Sequence, residues 1–120
     1  MSSSSHPSWF RLDTGILDSP KIRLAIDLGG QAVFALYVQG IAYSTQHLTS
    51  GFVPHEMPRR WGMRPKQCEA LELAGLWHPT PLDPGDGWLI HDYSEYNPTK
   101  EVWERVSERK RRAARKRWDP

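Results

Sequence analysis

Apolar residues recur at helical spacing in two neighbouring stretches of the first half of the chain. Ser19-Pro20 is a typical helix start, with an N-cap serine and a proline at the first helical position. In the following KIRLAIDL, Ile22, Ala25 and Ile26 share one face with Gly29, and Gly29-Gly30 ends the predicted helix. Residues 31–47 predict a second helix that is apolar around most of its circumference, so we expect it to be buried centrally. Gly40 within it predicts a close neighbour.

Shorter elements surround this helical pair. Residues 9–13 predict a short strand, and residues 52–54 are long enough only for the stub of another. Residues 55–61 predict a short helix, Gly62 breaks it, and residues 65–76 predict a further helix. A short helix, a tight glycine-containing turn and a second helix form the helix-turn-helix pattern.

The following segment predicts a β-hairpin. Residues 76–79 and 88–93 are rich in aromatic residues, which we expect in the core, and they flank the Asp/Pro/Gly-rich loop 83–87. Asn97-Pro98-Thr99 then caps a terminal helix. The predicted order is strand, helix, helix, strand, helix, helix and hairpin, followed by a C-terminal basic helix. This order predicts an α+β fold, a winged helix-turn-helix.

Length and composition indicate one domain with two appendages. We expect residues 1–8 to be a flexible polar lead, residues 9–98 the winged-helix domain and residues 99–120 a basic helix or tail. The single cysteine, Cys68, excludes an internal disulfide framework and is typical of a reducing compartment. The chain has no apolar run long enough for a membrane span and no signal-peptide pattern at its start. We therefore expect a soluble protein of the bacterial cytoplasm, without a membrane partner.

Positive charge is concentrated at the C-terminal end. Residues 1–98 carry 7 basic and 10 acidic side chains, whereas residues 99–120 carry 9 basic and 4 acidic ones. The formal net charge of +2 therefore combines a mildly acidic body with a cationic tail. Such a tail favours a polyanionic partner, because neutralising phosphates releases condensed counterions. Eight cations lie in the last 16 residues: Arg105, Arg109, Lys110, Arg111, Arg112, Arg115, Lys116 and Arg117.

Three stretches carry a resemblance to a known group of proteins: WFRLDTGILDSPKI, HLTSGFVP and LWHPTPLDPGDGWLIHDYSEYNP, the last running into the basic helix. They resemble small winged-helix proteins of actinobacterial phages and prophages. Those proteins are similar to the N-terminal domain of phage replisome-organiser (replication-initiation) proteins. The resemblance covers about residues 9–117 and implies a DNA-binding module used in phage replication or regulation.

The helix-turn-helix predicts a surface that could read double-stranded DNA. In such motifs the first residues of the second helix contact base edges, arginine pairing with guanine and glutamine with adenine. Here that surface has five candidates: Arg59, Arg60, Arg64, Lys66 and Gln67. Further along, we expect Ala70, Leu71, Leu73 and Ala74 to form the core stripe, which leaves Glu69 and Glu72 facing outward. Because carboxylates repel phosphate, we expect a shallow, tip-first entry or none.

The terminal helix divides into two parts. Val102, Trp103 and Val106 form an apolar face, so the first two turns should dock on the body. Glu101–Arg105 and Glu108–Arg112 are predicted ion pairs at i,i+4 spacing. Beyond Glu108 the segment is basic all round and should not pack on a core.

Enzymatic readings have little support. The five histidines lie too far apart to suggest a metal-ligand motif, and a single cysteine cannot build a thiolate zinc site. No hydrolase, P-loop or metalloprotease motif is present, so we expect a non-enzymatic protein without cofactors. Two alternatives to DNA binding remain open. One is an interaction module for a host or phage replication or transcription protein; the other is a homodimer through Trp103, Trp118 and the helix between them.

Overall fold

The computed structural model describes residues 6–80 and 86–118, which form a mixed α+β domain. The α+β class is therefore confirmed. A 3-10 turn, Ile16–Asp18, precedes the first helix. The elements are α1 (Pro20–Gly29), α2 (Ala32–His47), β1 (Phe52–Pro54), α3 (Met57–Arg60), α4 (Pro65–Leu73), β2 (Trp77–Thr80), β3 (Gly87–Ile90), α5 (Tyr93–Tyr96) and α6 (Lys100–Trp118).

Helices α1, α2 and α4 pack on one another and enclose the core. Helix α1 has the predicted start and end, with Pro20 in its first turn and Gly30 in a positive-φ conformation just after it. Gly29 allows the three helices to approach closely, because a Cβ there would lie only 2.8 Å from the Ala70 Cβ. At the other end of α1, the Lys21 side chain approaches Gly75. Helices α1 and α4 therefore run antiparallel.

Helix α2 is the central helix, as predicted. Its buried residues include Val33, Leu36 and Ile41, which recur at helical spacing. The neighbour predicted at Gly40 is Trp77: a Cβ on Gly40 would lie 2.7 Å from Cζ2 of its ring. Because Gly40 has no side chain, α2 and the Trp77 ring of the sheet can be in direct contact.

A three-stranded antiparallel sheet in the order β1-β3-β2 covers the other side of the core. Val53 is opposite Trp88 in one pair, and Trp77 is opposite Ile90 in the other. The hairpin and the strand stub are thus confirmed, and Trp77, Trp88 and Tyr93 are buried as expected. Most of the predicted loop 83–87 lies outside the described residues.

Two strand predictions were wrong. Residues 9–13 form no strand, because the backbone of Arg11 bonds to a side chain: its N–H donates to Asn97 Oδ1 (2.7 Å), and its carbonyl accepts from Asn97 Nδ2 (3.2 Å). The strand expected over 88–93 ends at Ile90, because Asp92 is in the left-handed conformation (φ 57°) and turns the chain into α5. Of the predicted flexible lead, residues 1–5 lie outside the described range, and Pro7 is buried.

The α4 prediction was wrong in its length and in part of its stripe. The helix ends at Leu73 rather than Leu76, because Gly75 adopts a positive φ of 78°. Leu73, predicted in the core, is 73% exposed. It lies about 200° around the helix from Leu71, so the two cannot share a face. Cys68 takes the buried position instead.

The molecule is elongated because α6 extends away from the body. The Cα radius of gyration is 16.7 Å and the extents are 61 × 32 × 22 Å. A compact domain of this length would have a radius of gyration of about 14 Å. Among the described residues no single helix is both long and apolar enough to cross a membrane; only the bent pair α1–α2, at 120°, meets that criterion together.

Candidate nucleic-acid interface

Helix α6 presents its cations to solvent. All eight basic side chains from Arg105 to Arg117 are exposed, along a helix whose 19 residues span about 28 Å. Thr99 Oγ1 caps the start by accepting from the Val102 N–H (3.3 Å), and the Lys100 N–H donates to Ser50 Oγ (3.0 Å). The helix is thus held at its first turn.

Docking of α6 on the body is limited to its beginning. Trp103 and Val106 are half-buried, as predicted, but Val102 is 38% exposed. From Arg109 to Arg117 every side chain is exposed. The predicted division of the helix into a docked and a solvated part is therefore present.

One carboxylate of α6, that of Glu108, forms ion pairs with three arginines of the same helix. Glu108 accepts hydrogen bonds from Arg111 Nη2 (2.8 Å) and Arg112 Nε (3.2 Å), and Arg115 Nη2 lies 3.7 Å away. The hydrogen bond from Arg111 is the main cause that lowers the pKa of Glu108 from its ordinary value. The predicted Glu108–Arg112 pair is confirmed, whereas the Glu101–Arg105 pair does not form within the described chain.

Three of the five remaining cations form an open stripe along one side of α6. Arg105, Arg109 and Lys116 make no ion pair with any described residue. Their spacing of i, i+4 and i+11 places them within an arc of about 40° on an ideal helix. We call these three residues the open stripe. It extends about 16 Å, which matches about five nucleotide steps of one DNA strand.

A second basic group lies at the turn between α3 and α4. Arg59 and Arg60 end α3, while Arg64 and Lys66 flank the start of α4, and all four are exposed. Gln67, the fifth predicted reader, is held inside the fold. Its Oε1 accepts from the Arg64 N–H (2.9 Å), and its Nε2 donates to the Gly29 carbonyl (3.2 Å). Both ends of the amide that would pair with adenine are therefore engaged.

The outward face of α4 carries a mixed set of side chains. Lys66, Glu69 and Leu73 are exposed on it. Glu72, predicted to face outward as well, is half-buried and accepts a hydrogen bond from Trp88 Nε1 (2.8 Å). One of the two carboxylates expected to repel DNA therefore belongs to the contact between α4 and β3.

The two basic groups lie near opposite ends of α2. Gly29 brings the first half of α4 against Val33, at the start of α2. Ser50, which holds the start of α6, follows the C-terminal end of α2. The 16 residues of α2 span about 24 Å, so the two basic groups are associated with ends of a helix of that length.

A groove that the sequence did not predict lies between residues 7–11, α5 and the start of α6. Its volume is about 470 Å³. Trp9 and Tyr96 line it and are 63% and 47% exposed. No local pattern could have found this site, because its walls come from segments about 90 residues apart.

A cluster of polar side chains lies at the end of the hairpin. His91 lies 2.9 Å from His78 (Nδ1 to Nε2) and 3.1 Å from Asp92 (Nε2 to Oδ2), which links three residues of the hairpin end. No group of three or more metal-ligating side chains is assembled in residues 6–80 and 86–118. Burial raises the pKa of the Cys68 thiol to about 11, so this sulfur is protonated at neutral pH.

Comparison with known proteins does not assign a family. No family model matches the chain, and neither a curated protein nor a solved structure is similar to it. The resemblance to phage winged-helix proteins stays a prediction. The functional argument therefore rests on geometry and charge.

Proposed function

We propose that this chain is a non-enzymatic DNA-binding protein of phage or prophage origin, with a winged-helix body and a DNA-binding terminal helix. It acts on double-stranded DNA in the bacterial cytoplasm, in replication initiation or transcriptional regulation. The observation that carries the proposal is α6, a helix of about 28 Å on which all eight cations from Arg105 to Arg117 are exposed, while Glu108 is the one carboxylate that forms ion pairs within the described part of the helix.

The element order supports a winged helix. Helix α2, β1, α3, α4 and the β2–β3 hairpin follow one another, and β1 pairs with β3. Residues 61–64 join α3 to α4 in a four-residue turn with Gly62 at a positive φ of 83°. Short glycine-containing turns of this kind join the two helices of helix-turn-helix motifs.

The two basic groups have different roles in this proposal. The cations of α6 neutralise phosphates and supply affinity that does not depend on sequence. Arg59, Arg60, Arg64 and Lys66 supply any sequence preference, with the tip of α4 entering the groove first. Glu69 and Leu73 limit deeper entry, because neither a carboxylate nor an exposed leucine is matched to phosphate.

Two triple variants of α6 test the proposal. One changes the open stripe, Arg105, Arg109 and Lys116, to Gln. The matched control changes the Glu108-bound arginines, Arg111, Arg112 and Arg115, to Gln, so both variants lose three charges from one helix with little change in helix propensity. Fluorescence anisotropy with duplex DNA at several salt concentrations measures the affinity and its salt slope.

We expect the stripe variant to lose more affinity for every duplex than the control. The cations of the open stripe can bind phosphate without first breaking an ion pair with a carboxylate. The variant's salt slope should flatten by about 2.7, the value for three lost phosphate contacts. If the wild-type protein contacts roughly five to seven phosphates, its own slope is roughly −4.5 to −6. A larger loss in the control would contradict the assignment of the open stripe, and no DNA binding by the wild type at low salt would refute the proposed function.

A protein-interaction module is the second candidate, and an apolar patch favours it. Leu24, Leu28 and Leu73 are 45%, 40% and 73% exposed. Leu24 and Leu28 lie on α1 and Leu73 lies on α4, and these two helices pack on each other. Exposed apolar patches mark protein contacts more often than DNA contacts. A wild-type protein that ignores DNA at low salt would favour a replication or transcription protein as the partner at this patch.

A further inference from the structure

The groove at the start of α6 combines exposed aromatic rings with positive charge. Trp9 and Tyr96 lie on its walls, and Val106 of α6 also lines it. Arg11 and Lys110 also line it, against a single lining carboxylate, Glu95. Its volume of about 470 Å³ falls in the range of small-ligand clefts, which is about 300–1,000 Å³.

The wall of the groove that carries Trp9 is held in place. The Asn97 amide makes two hydrogen bonds to the backbone of Arg11, at 2.7 and 3.2 Å. The Arg11 guanidinium in turn lies 5.8 Å from the centroid of the Trp9 ring. Since Asn97 is buried and α5 precedes it directly, the backbone segments that carry Trp9 and Tyr96 are tied to each other within the fold.

Exposed aromatic rings beside cations suit one ligand chemistry above others. Unpaired bases stack on aromatic side chains, and the adjacent phosphates pair with Lys and Arg. A duplex offers no free base face to such rings. The ligand that fits the groove is therefore a short run of unpaired nucleotides.

We propose that this groove binds unpaired nucleotides at a junction between duplex and single-stranded DNA. The inference rests on the proposed function, because the duplex arm would lie along α6. Lys110 lines the groove and belongs to the cationic helix, so positive charge continues from one to the other. The groove volume of about 470 Å³ suits a short run of nucleotides rather than a long strand.

The test compares a blunt duplex with the same duplex carrying five unpaired thymidines at either the 5′ or the 3′ end. Fluorescence anisotropy is measured for the full chain and for Trp9→Ala, Tyr96→Ala and the conservative Trp9→Phe. Leu17→Ala serves as the surface control, because Leu17 is 67% exposed and does not line the groove. Circular dichroism melts confirm that each variant is folded.

We expect the wild type to bind one overhang substrate more tightly than the blunt duplex, by roughly 5- to 100-fold for one stacked base. Trp9→Ala and Tyr96→Ala should reduce this excess without changing the affinity for the blunt duplex, whereas Trp9→Phe and Leu17→Ala should keep it. Equal wild-type affinity for blunt and overhang substrates would overturn the inference and leave the proposed function intact. An excess that survives both alanine variants, or an equal loss on all substrates, would also overturn it. Binding to none of the substrates would refute the proposed function itself.

Discussion

The Asn97 side chain bonds to the backbone of Arg11 as a neighbouring strand would, and the side chains of Ser44 and Gln67 also bond to backbone groups. Ser44, inside α2, accepts hydrogen bonds from the Gly51 N–H (2.6 Å) and from Thr49 Oγ1 (2.8 Å). Gln67 joins the start of α4 to the end of α1. Each of these side chains bonds to a backbone group, and a backbone group shielded from water is costly to leave unpaired.

At this scale Gly40→Ala tests the contact between α2 and the sheet. Alanine is the better helix former by about 1 kcal/mol, but its Cβ would lie 2.7 Å from the Trp77 ring. We expect overpacking to prevail and to lower the free energy of unfolding by about 1–3 kcal/mol in urea denaturation. The control is Gly15→Ala, whose Cβ would meet only the Asp13 side chain at 3.7 Å; it should change stability by less than about 0.5 kcal/mol. A more stable Gly40→Ala protein would show that the helix and the sheet are not in close contact.

Among the elements, α6 differs from the other helices in what holds it. Thr99 and Ser50 bind its first turn, Trp103 and Val106 are half-buried, and the later turns are solvated. Beyond the docked turns, its internal ion pairs centre on Glu108. Such exposed pairs contribute little to stability, but they decide which cations are free to meet a ligand.

The pKa of Glu108 tests this arrangement. Because Arg111 lowers it, the ion pairs persist as the pH falls below the ordinary carboxyl pKa and are lost only as the pH passes through the lowered value. We expect Arg111→Gln to raise the pKa of Glu108 towards its ordinary value, measured by the carboxyl carbon shift in an NMR titration. Arg109→Gln removes an equal charge that does not contact Glu108 and should have a smaller effect. Equal shifts in both variants would mean that net charge, rather than the hydrogen bond, sets the pKa.

At the scale of the whole molecule, the hydrophobic core and most of the positive charge lie in different parts of an elongated protein. The body encloses the core, while α6 accounts for much of the longest extent of 61 Å. A net charge of opposite sign on the two parts permits the basic helix to meet a polyanion at a distance from the acidic side chains of the body.

Two truncations test whether the outer half of α6 takes part in folding. Removing residues 109–120 should leave the free energy of unfolding within about 0.5 kcal/mol of the full chain, because every side chain from Arg109 to Arg117 is exposed. Removing residues 100–120 should destabilise the body, since Trp103 and Val106 are then lost from its surface. Urea denaturation measures both, and a large loss from the shorter truncation would mean that the outer helix packs on the body.

Local pattern was sufficient for most of the fold but for little of the candidate site. The periodicity of residues 31–47, the proline starts and the aromatic hairpin all predicted elements that the structure contains. The strand prediction for residues 9–13 was wrong, because a local pattern cannot show that the hydrogen-bond partner of the Arg11 backbone is the Asn97 side chain. The prediction that Leu73 belongs to the core stripe was wrong, because Leu73 lies on the opposite side of α4 from Leu71 and is exposed.

The amino-acid sequence alone determined every helix except the short α5, the hairpin and the concentration of positive charge in residues 99–120, since these depend on neighbours a few positions apart. Only the tertiary structure decided which cations of α6 bind Glu108 and which form the open stripe. It also decided that Gln67 bonds to the Gly29 carbonyl and that Trp9 and Tyr96 line the same groove. The physical reason is distance along the chain. Rotamers and contacts between remote segments depend on how the whole chain packs, and no local spacing encodes them.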